Sequence, residues 1–134
     1  DADLFYGSTH QWPLYPGTGS HEERGLGNIL NLPLAPFSGS AEFRAAFSEE
    51  LIPALEDFEP DLVMISAGFD AHAADPLANL NLHENDFAWA TEQLADVARR
   101  FAGNRLVSAL EGGYDLAALK ASARAHVLAL MRQS

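Results

Sequence analysis

Short apolar runs alternate along the chain with longer segments in which apolar residues recur every three or four positions. The runs predict four strands, at residues 4–8, 28–33, 61–66 and 105–110. The helical spacing between them predicts three helices, starting near Ser40, Glu84 and Asp115. The last two strands are almost continuously apolar, as parallel strands buried on both faces are. Alternating strands and helices predict an α/β fold: a parallel sheet with helices on both faces.

Two segments depart from this regular pattern. Pro53 lies inside the first helical stripe and should kink or loosen that helix. Residues 9–28 form a long loop with two prolines and four glycines. Its aromatic residues Trp12 and Tyr15 argue against a solvated linker, so the loop is predicted to be a packed wall of a site.

Three loops follow strands of the predicted sheet, and ligands of open α/β sheets bind at that edge. The first loop carries Ser8, His10, Trp12 and Tyr15, the second Asp70, His72 and Asp75, and the third Glu111, Gly112, Gly113 and Tyr114. The three loops should therefore converge on one rim of the sheet.

The second loop offers one carboxylate of interest and two residues with ordinary explanations. Asp75 precedes Pro76, so its side chain can project and bind a divalent metal. An Asx-type turn explains an aspartate before proline equally simply, and from spacing alone it is favoured. For Asp70 and His72, a capping aspartate and an exposed histidine are the default expectations.

Tyr114 follows two glycines and could donate a hydrogen bond to a developing oxyanion. A tyrosine that simply packs over a glycine turn is equally compatible with the sequence. The spacing of His83 and His126 does not resemble a ligand set, and both are expected to be structural.

Composition narrows the classes of function. The 134 residues carry a formal net charge of −11 and no cysteine. This charge disfavours a nucleic-acid partner and favours a cationic ligand, although excess acid can also simply maintain solubility. No apolar stretch approaches the ~20 residues of a membrane span, and no signal peptide is recognisable, so a cytoplasmic location is expected. Phosphate-binding glycine motifs and the serine-hydrolase elbow are also lacking.

Taken together, four motifs resemble the histone deacetylase, acetylpolyamine amidohydrolase and acetoin-utilisation superfamily, and most closely its class II-like bacterial members. They occur in the family's order at residues 8–19, 31–34, 60–77 and 110–115. The resemblance implies an arginase-like α/β/α fold. It also implies zinc-dependent hydrolysis of N-acetyl amides on lysine or polyamine side chains.

The resemblance also implies roles for individual residues. By position, Asp75 matches the second zinc-binding aspartate and Tyr114 matches the oxyanion tyrosine. Tyr15, Gly112 and Gly113 match residues that line the family's substrate tunnel. Ser8 and Thr9 match part of a structural potassium site.

The family's Asp-x-His-His-Gly segment and its histidine pair have no counterpart in this sequence. Residues 1–134 are therefore expected to be a single partial domain, the C-terminal half of the catalytic domain. Such a chain is predicted to be inactive alone, because one carboxylate does not make a zinc site. One alternative is a non-catalytic module that associates with another copy of itself or with a partner. Another is a partner chain, such as the missing N-terminal half, that supplies the missing ligands in trans.

Overall fold

The computed structural model describes residues 1–132. Within them the strands are β1 (Tyr6–Gln11), β2 (Ile29–Leu34), β3 (Val63–Ala67) and β4 (Leu106–Leu110). The α-helices are α1 (Ser40–Ala46), α2 (Ile52–Phe58), α3 (Glu84–Phe101) and α4 (Leu116–Arg132). No helix in this range is long and apolar enough to cross a membrane.

The described strands form two parallel pairs, β1 with β2 and β3 with β4. The predicted α/β class with parallel strands is confirmed, but the strands belong to two separate sheets. The two pairs nevertheless run in the same direction. Phe5 before β1 contacts Phe58 before β3, while Gln11 at the end of β1 accepts a hydrogen bond from Asn79 beyond β3.

Strand β2 continues through Pro33, where the sequence pattern predicts its end. The N–H of Tyr6 donates to the carbonyl of Asn28. The backbone N–H and C=O groups of successive residues point to opposite sides of a strand. Those of the even-numbered residues of β2 therefore bond to β1, and those of the odd-numbered residues point to the outer edge of the sheet. The N–H that Pro33 lacks would point to the outer edge of β2 and not to β1. Proline is tolerated at such an unpaired edge because no ladder hydrogen bond is lost.

Pro53 divides the first predicted helix, as expected, and the structure shows how. Residues Phe47–Leu51 form a π-helical turn between α1 and α2. In this turn the N–H of Ile52 reaches the carbonyl of Phe47, five residues back. The wider turn accommodates a proline whose missing N–H would interrupt a regular α-helical ladder.

The core lies between the strands and the helices. On β3, Val63 and Ala67 are buried, and Val63 packs in a cluster with Val97 and Ala98 of α3. Met64 points to the opposite face and is 74% exposed. The described part of the chain thus covers one face of β3 and leaves the other open.

Two buried polar groups join the helices to their neighbours. Asp86, near the start of α3, accepts hydrogen bonds from Ser40 Oγ at 2.7 Å and Arg44 Nε at 2.9 Å, both on α1. His126 of α4 contacts Thr91 of α3 and Ser108 of β4 through its two ring nitrogens, at 2.7 and 2.8 Å. His126 is therefore structural, as predicted.

Candidate active site at the carboxyl ends of β3 and β4

The loops that follow β3 and β4 are joined by a buried carboxylate. Asp75 Oδ2 accepts a hydrogen bond from the backbone N–H of Tyr114 at 2.8 Å. Its Oδ1 accepts from the N–H of Leu77 at 2.9 Å, which is the Asx turn expected of an aspartate before proline. Oδ1 also accepts from the N–H of Ala78 at 3.4 Å, whereas Oδ2 keeps a second lone pair, so the turn does not prevent Asp75 from binding another group.

Backbone hydrogen bonds hold the same two loops together at a second place. The N–H of Phe69 donates to the carbonyl of Gly112 at 2.9 Å. Gly113 has φ +134°, a conformation that side-chain-bearing residues rarely adopt. The glycine pair therefore forms a turn without side chains beside the loop that carries Asp75. The Tyr114 side chain is 56% exposed, so its phenol is free to meet a ligand.

Asp70 is a half-buried carboxylate packed against this glycine turn. A Cβ placed on Gly112 would lie 2.6 Å from Asp70 Oδ2. Burial raises the pKa of Asp70, and the nearby charge of Asp75 adds to the effect. Among the described residues no side chain donates a hydrogen bond to it. The capping role expected from the sequence is therefore not the one the structure shows.

His72 is buried, and the expectation of an exposed histidine is wrong. Only 8% of His72 is exposed, because the segment around it folds back. Its backbone N–H donates to the carbonyl of Phe69, and its ring packs against the ring of His83. The ring nitrogen Nδ1 accepts a hydrogen bond from the N–H of Ala74 at 3.0 Å. In the neutral ring Nε2 therefore carries the proton, and it faces Glu84 Oε1 at 3.6 Å, beyond hydrogen-bond distance.

His72, His83 and Glu84 bring three potential ligand atoms within 4.8 Å of one another. The hydrogen bond from Ala74 opposes metal binding here, because a ligating histidine normally donates its other N–H rather than accepting. The simpler role of His72 is to support the loop of Asp75 through Ala74.

The residues matched on β1 and in the loop after it line a cleft to which Asp75 and Tyr114 do not contribute. His10 Nε2 donates to the carbonyl of Gly19 at 2.7 Å, so its Nδ1 accepts from the Ser8 hydroxyl at 2.9 Å. Ser8, Thr9 and Tyr15 line a cleft between β1 and β3, which we call the β1–β3 cleft. Tyr15 is 98% exposed, so the described residues do not pack its ring into a wall.

The predicted residues thus form two groups. One consists of Asp75, Gly112, Gly113 and Tyr114, and the other of Ser8, Thr9 and Tyr15.

A zinc ion does not fit the described residues by themselves. A catalytic zinc site needs three protein ligands and an open position. The one three-residue cluster of possible ligands within residues 1–132 does not include Asp75. Asp75 could supply one ligand to such a site. Within residues 1–132, Asp75 does not belong to a group of three or more such ligands.

Solved structures and curated sequences resemble the chain over most of its length. The crystal structure of the HDA15 HD domain superposes on all of it with a TM-score of 0.90 and 32% identity, which is 39% of that domain. "Histone deacetylase 10, chloroplastic" of Oryza sativa subsp. japonica is 45% identical over 126 residues, 91% of this chain and 28% of the relative. "Histone deacetylase-like amidohydrolase" of Pseudomonas aeruginosa is 46% identical over 93 residues, 69% of this chain and 24% of the relative.

The chain therefore spans about a quarter to two fifths of the length of these relatives. The family model described as "Histone deacetylase domain" matches residues 1–130, which is nearly the whole sequence. On this match, and on the structural likeness that accompanies it, the chain belongs to the histone deacetylase domain family.

Proposed function

We propose that this chain forms one side of the active site of a zinc-dependent deacetylase of the class II-like type, which hydrolyses the N-acetyl amide of a lysine or polyamine side chain. The observation that carries the proposal is the 2.8 Å hydrogen bond between Asp75 and the backbone of Tyr114. It holds a carboxylate that can bind a cation against the backbone of a tyrosine whose phenol can donate a hydrogen bond. Both stand at the sheet edge where ligands of α/β folds bind.

In this proposal Tyr114 is the catalytic donor. Its phenol would hydrogen-bond the acyl oxygen as negative charge develops there, and such a donor contributes most where charge appears in the transition state. Gly112 and Gly113 would let the extended acyl-bearing side chain lie close to the backbone, and Tyr15 would form an aromatic wall. Ser8 and Thr9 would contribute to a potassium site.

The charge of the chain is consistent with the substrate class. A net charge of −11 attracts cationic molecules over long distances, and lysine-rich peptides and polyamines are cationic. Because Asp75 belongs to no three-ligand cluster among the described residues, we propose that the 134-residue chain alone does not hydrolyse an acetyl-lysine substrate.

A chimera tests the proposal. The matched segment of the Pseudomonas aeruginosa amidohydrolase is replaced by the corresponding residues of this chain, and zinc-dependent hydrolysis of a fluorogenic acetyl-lysine substrate is measured. We expect Asp75→Asn and Tyr114→Phe each to lower kcat/KM by about 100-fold or more. Tyr6→Phe, at an exposed tyrosine on β1, is the matched control and should leave kcat/KM unchanged.

Two results would contradict the proposed roles. One is a folded chimera that has no activity. The other is a pair of Asp75→Asn and Tyr114→Phe chimeras that are as active as the parent chimera.

A second candidate function is a self-associating module without catalysis. The exposed apolar residues Met64, Val107 and Leu110 favour it, since large apolar patches mark association surfaces. Sedimentation velocity distinguishes the two: a monomer at all concentrations tested contradicts self-association.

A further inference from the structure

Phe37 is an exposed aromatic residue whose backbone adopts a conformation that is unfavourable for side-chain-bearing residues. It is 73% exposed and has φ +69°. It is the third residue of a turn in which Pro36 is the second and the N–H of Ser38 donates to the carbonyl of Ala35 at 3.1 Å. A turn with proline second and a positive φ at the third residue is of type II, and glycine is the usual third residue. The turn alone therefore does not explain a bulky aromatic residue at position 37.

Within residues 1–132, the other two non-glycine residues with a positive φ have an ordinary structural explanation. Glu59 ends α2, and Asn104 lies in the turn after α3, where left-handed residues commonly terminate helices. Phe37 ends no helix, because it lies between β2 and α1. Unfavourable backbone conformations that a fold retains are concentrated at binding sites, so the exposed ring of Phe37 is a candidate contact for a ligand.

Hydrogen bonds hold the Phe37 turn against the loop that carries Asp75. The N–H of Phe37 donates to the carbonyl of Asn79 at 2.6 Å, and Asn81 Nδ2 donates to the carbonyl of Phe37 at 3.0 Å. Asn79 follows Asp75 by four residues, so their Cα atoms are at most about 14 Å apart. Phe37 therefore lies on the rim of the candidate active site, at a distance that a group beside the acetylated amine can reach.

The surface beside Phe37 carries a negative charge in a fixed position. Glu42 Oε2 accepts a hydrogen bond from the N–H of Gly39, two residues after Phe37, at 2.9 Å. This hydrogen bond lowers the pKa of the Glu42 carboxyl, so the group is ionised at neutral pH. Cations bind over the faces of aromatic rings and are attracted by carboxylates. The combination favours a cationic ligand over a neutral apolar one, as does the net charge of −11.

We propose that Phe37 is a specificity-determining residue, which binds an ammonium group of the substrate other than the acetylated one, with Glu42 adding a favourable charge. This ammonium group is the side chain of a second lysine in a peptide or a second amine of a polyamine. The inference rests on the proposed function, because it concerns the rim of the same site. A cation over an exposed ring contributes about two- to fivefold in binding, so the effect is expected on KM and not on kcat.

Titration of the 134-residue chain, followed by NMR, tests cation binding without any catalysis. The probe is cadaverine, a diamine, and pentanediol is its neutral counterpart of the same length. We expect cadaverine to shift the ring resonances of Phe37 and pentanediol to leave them in place. Glu42→Gln keeps an acceptor for the N–H of Gly39 and should weaken cadaverine binding by about twofold or more. Glu50→Gln, at an exposed glutamate of the π-helical turn, is the matched control and should not weaken it.

The chimera described above, built to include Phe37 and Glu42, tests the substrate. One pair of substrates is an acetyl-lysine peptide with a second lysine nearby and the same peptide with norleucine in its place. The other pair is acetylspermidine and an N-acetylalkylamine of equal length. We expect KM to be about threefold or more lower for the cationic member of at least one pair. The pair that shows the preference identifies the source of the ammonium group.

Phe37→Gly separates a binding role from a structural one. Glycine suits the third position of the turn, so the variant should unfold at the same urea concentration as the parent or at a higher one. It should nevertheless lose the preference for the cationic substrate, and Phe37→Tyr should retain that preference. Leu26→Ala, at an exposed residue before the start of β2, is the matched control and should also retain it.

Three results would overturn the inference. In the first, cadaverine and pentanediol shift the Phe37 ring resonances equally. In the second, neither pair of substrates shows a lower KM for its cationic member. In the third, the Phe37→Gly chimera keeps the preference of its parent. A chimera that hydrolyses none of the substrates contradicts the proposed function instead, and the titration then decides the role of Phe37 by itself.

Discussion

The backbone N–H of Tyr114 donates to Oδ2 of Asp75 across 2.8 Å, between loops that are 39 residues apart in sequence. This contact holds the middle of the loop after β3 against the end of the loop after β4. The same carboxylate also receives the N–H of Leu77. Asp75 is therefore a structural link as well as a candidate ligand, and the two roles can be separated experimentally.

Asp75→Ala should destabilise the isolated chain by about 2 kcal/mol, because it leaves the N–H groups of Leu77, Ala78 and Tyr114 without this acceptor. Asp75→Asn keeps one acceptor oxygen and should lose less stability. Urea unfolding followed by circular dichroism measures both. Asp61→Ala, at a fully exposed aspartate, is the control. Equal stabilities of the Asp75→Ala and Asp61→Ala variants would argue against the link.

Gly112→Ala should destabilise the loop after β4 through a contact with Asp70. The added Cβ would lie 2.6 Å from Asp70 Oδ2, so the carboxylate must move. In an Asp70→Ala background the same substitution should cost about 1 kcal/mol less, and a double-mutant cycle from urea unfolding measures this coupling. Gly113→Ala, where the backbone angle is itself unfavourable, should cost about 1–3 kcal/mol in both backgrounds. A coupling near zero for Gly112 would show that the contact is unimportant.

Stability should fall on acidification because His126 is buried as the neutral imidazole. Thr91 donates to the carbonyl of Phe87, so it accepts from His126 Nδ1–H, and Nε2 then accepts from Ser108. Burial lowers the pKa of His126. Above about pH 6.5 both the folded and the unfolded states are neutral at this residue. As the pH falls from there toward the folded-state pKa, the unfolded state binds the proton first and is favoured.

Urea unfolding between pH 5 and pH 8 measures this effect. The free energy of unfolding of the parent should decrease below about pH 6.5, and the decrease should be smaller in His126→Gln. His21→Gln, at an exposed histidine, is the matched control and should retain the full decrease. Identical pH profiles for His126→Gln and the parent would contradict the buried neutral histidine.

Asp86→Ala should lower the free energy of unfolding by about 2–3 kcal/mol, because it removes the carboxylate of α3 that accepts hydrogen bonds from Ser40 and Arg44 of α1. Burial raises the pKa of Asp86, but hydrogen bonds from Ser40 and the backbone of His83 and the charge of Arg44 together lower it below its usual range. Its contribution is therefore present above about pH 3.9 and is lost as the pH falls through the folded-state pKa. Thermal and urea unfolding of Asp86→Ala and of Asp57→Ala, an exposed acidic control, test this. Equal losses in the two variants would contradict it.

The order of the elements was predictable because each depends on a local pattern. The apolar runs place β3 and β4 within two residues of their observed limits, and Asp115 caps α4 through a bond to the N–H of Ala118 at 2.8 Å. Pro53 correctly marked a disturbance in the first helix. The loop residues Asp75 and Tyr114 were expected at one rim, and the structure brings them together.

The remaining features depend on contacts that no local pattern encodes. Strand pairing is a long-range property, so the division into two sheets could not be seen. His72 is buried because the chain folds back on it ten residues later, where Leu82 pairs with it in a single parallel β-bridge. Asp86 is the third residue of α3, where an acidic residue is expected, but its contacts with α1 come from residues more than 40 positions away.

The π-helical turn before Pro53 has a consequence for how this fold tolerates changes in chain length. A π turn holds one more residue per turn than an α turn does, so it is equivalent to a single-residue insertion that has been absorbed inside a helix. Deleting one residue between 47 and 51 would restore a regular α turn and keep the phase of the helix, whereas a deletion within α1 or α2 would rotate everything that follows by about 100°. We expect a relative that lacks the proline to carry one residue fewer here. Length differences among relatives should therefore collect at this turn as well as in the long loop after β1.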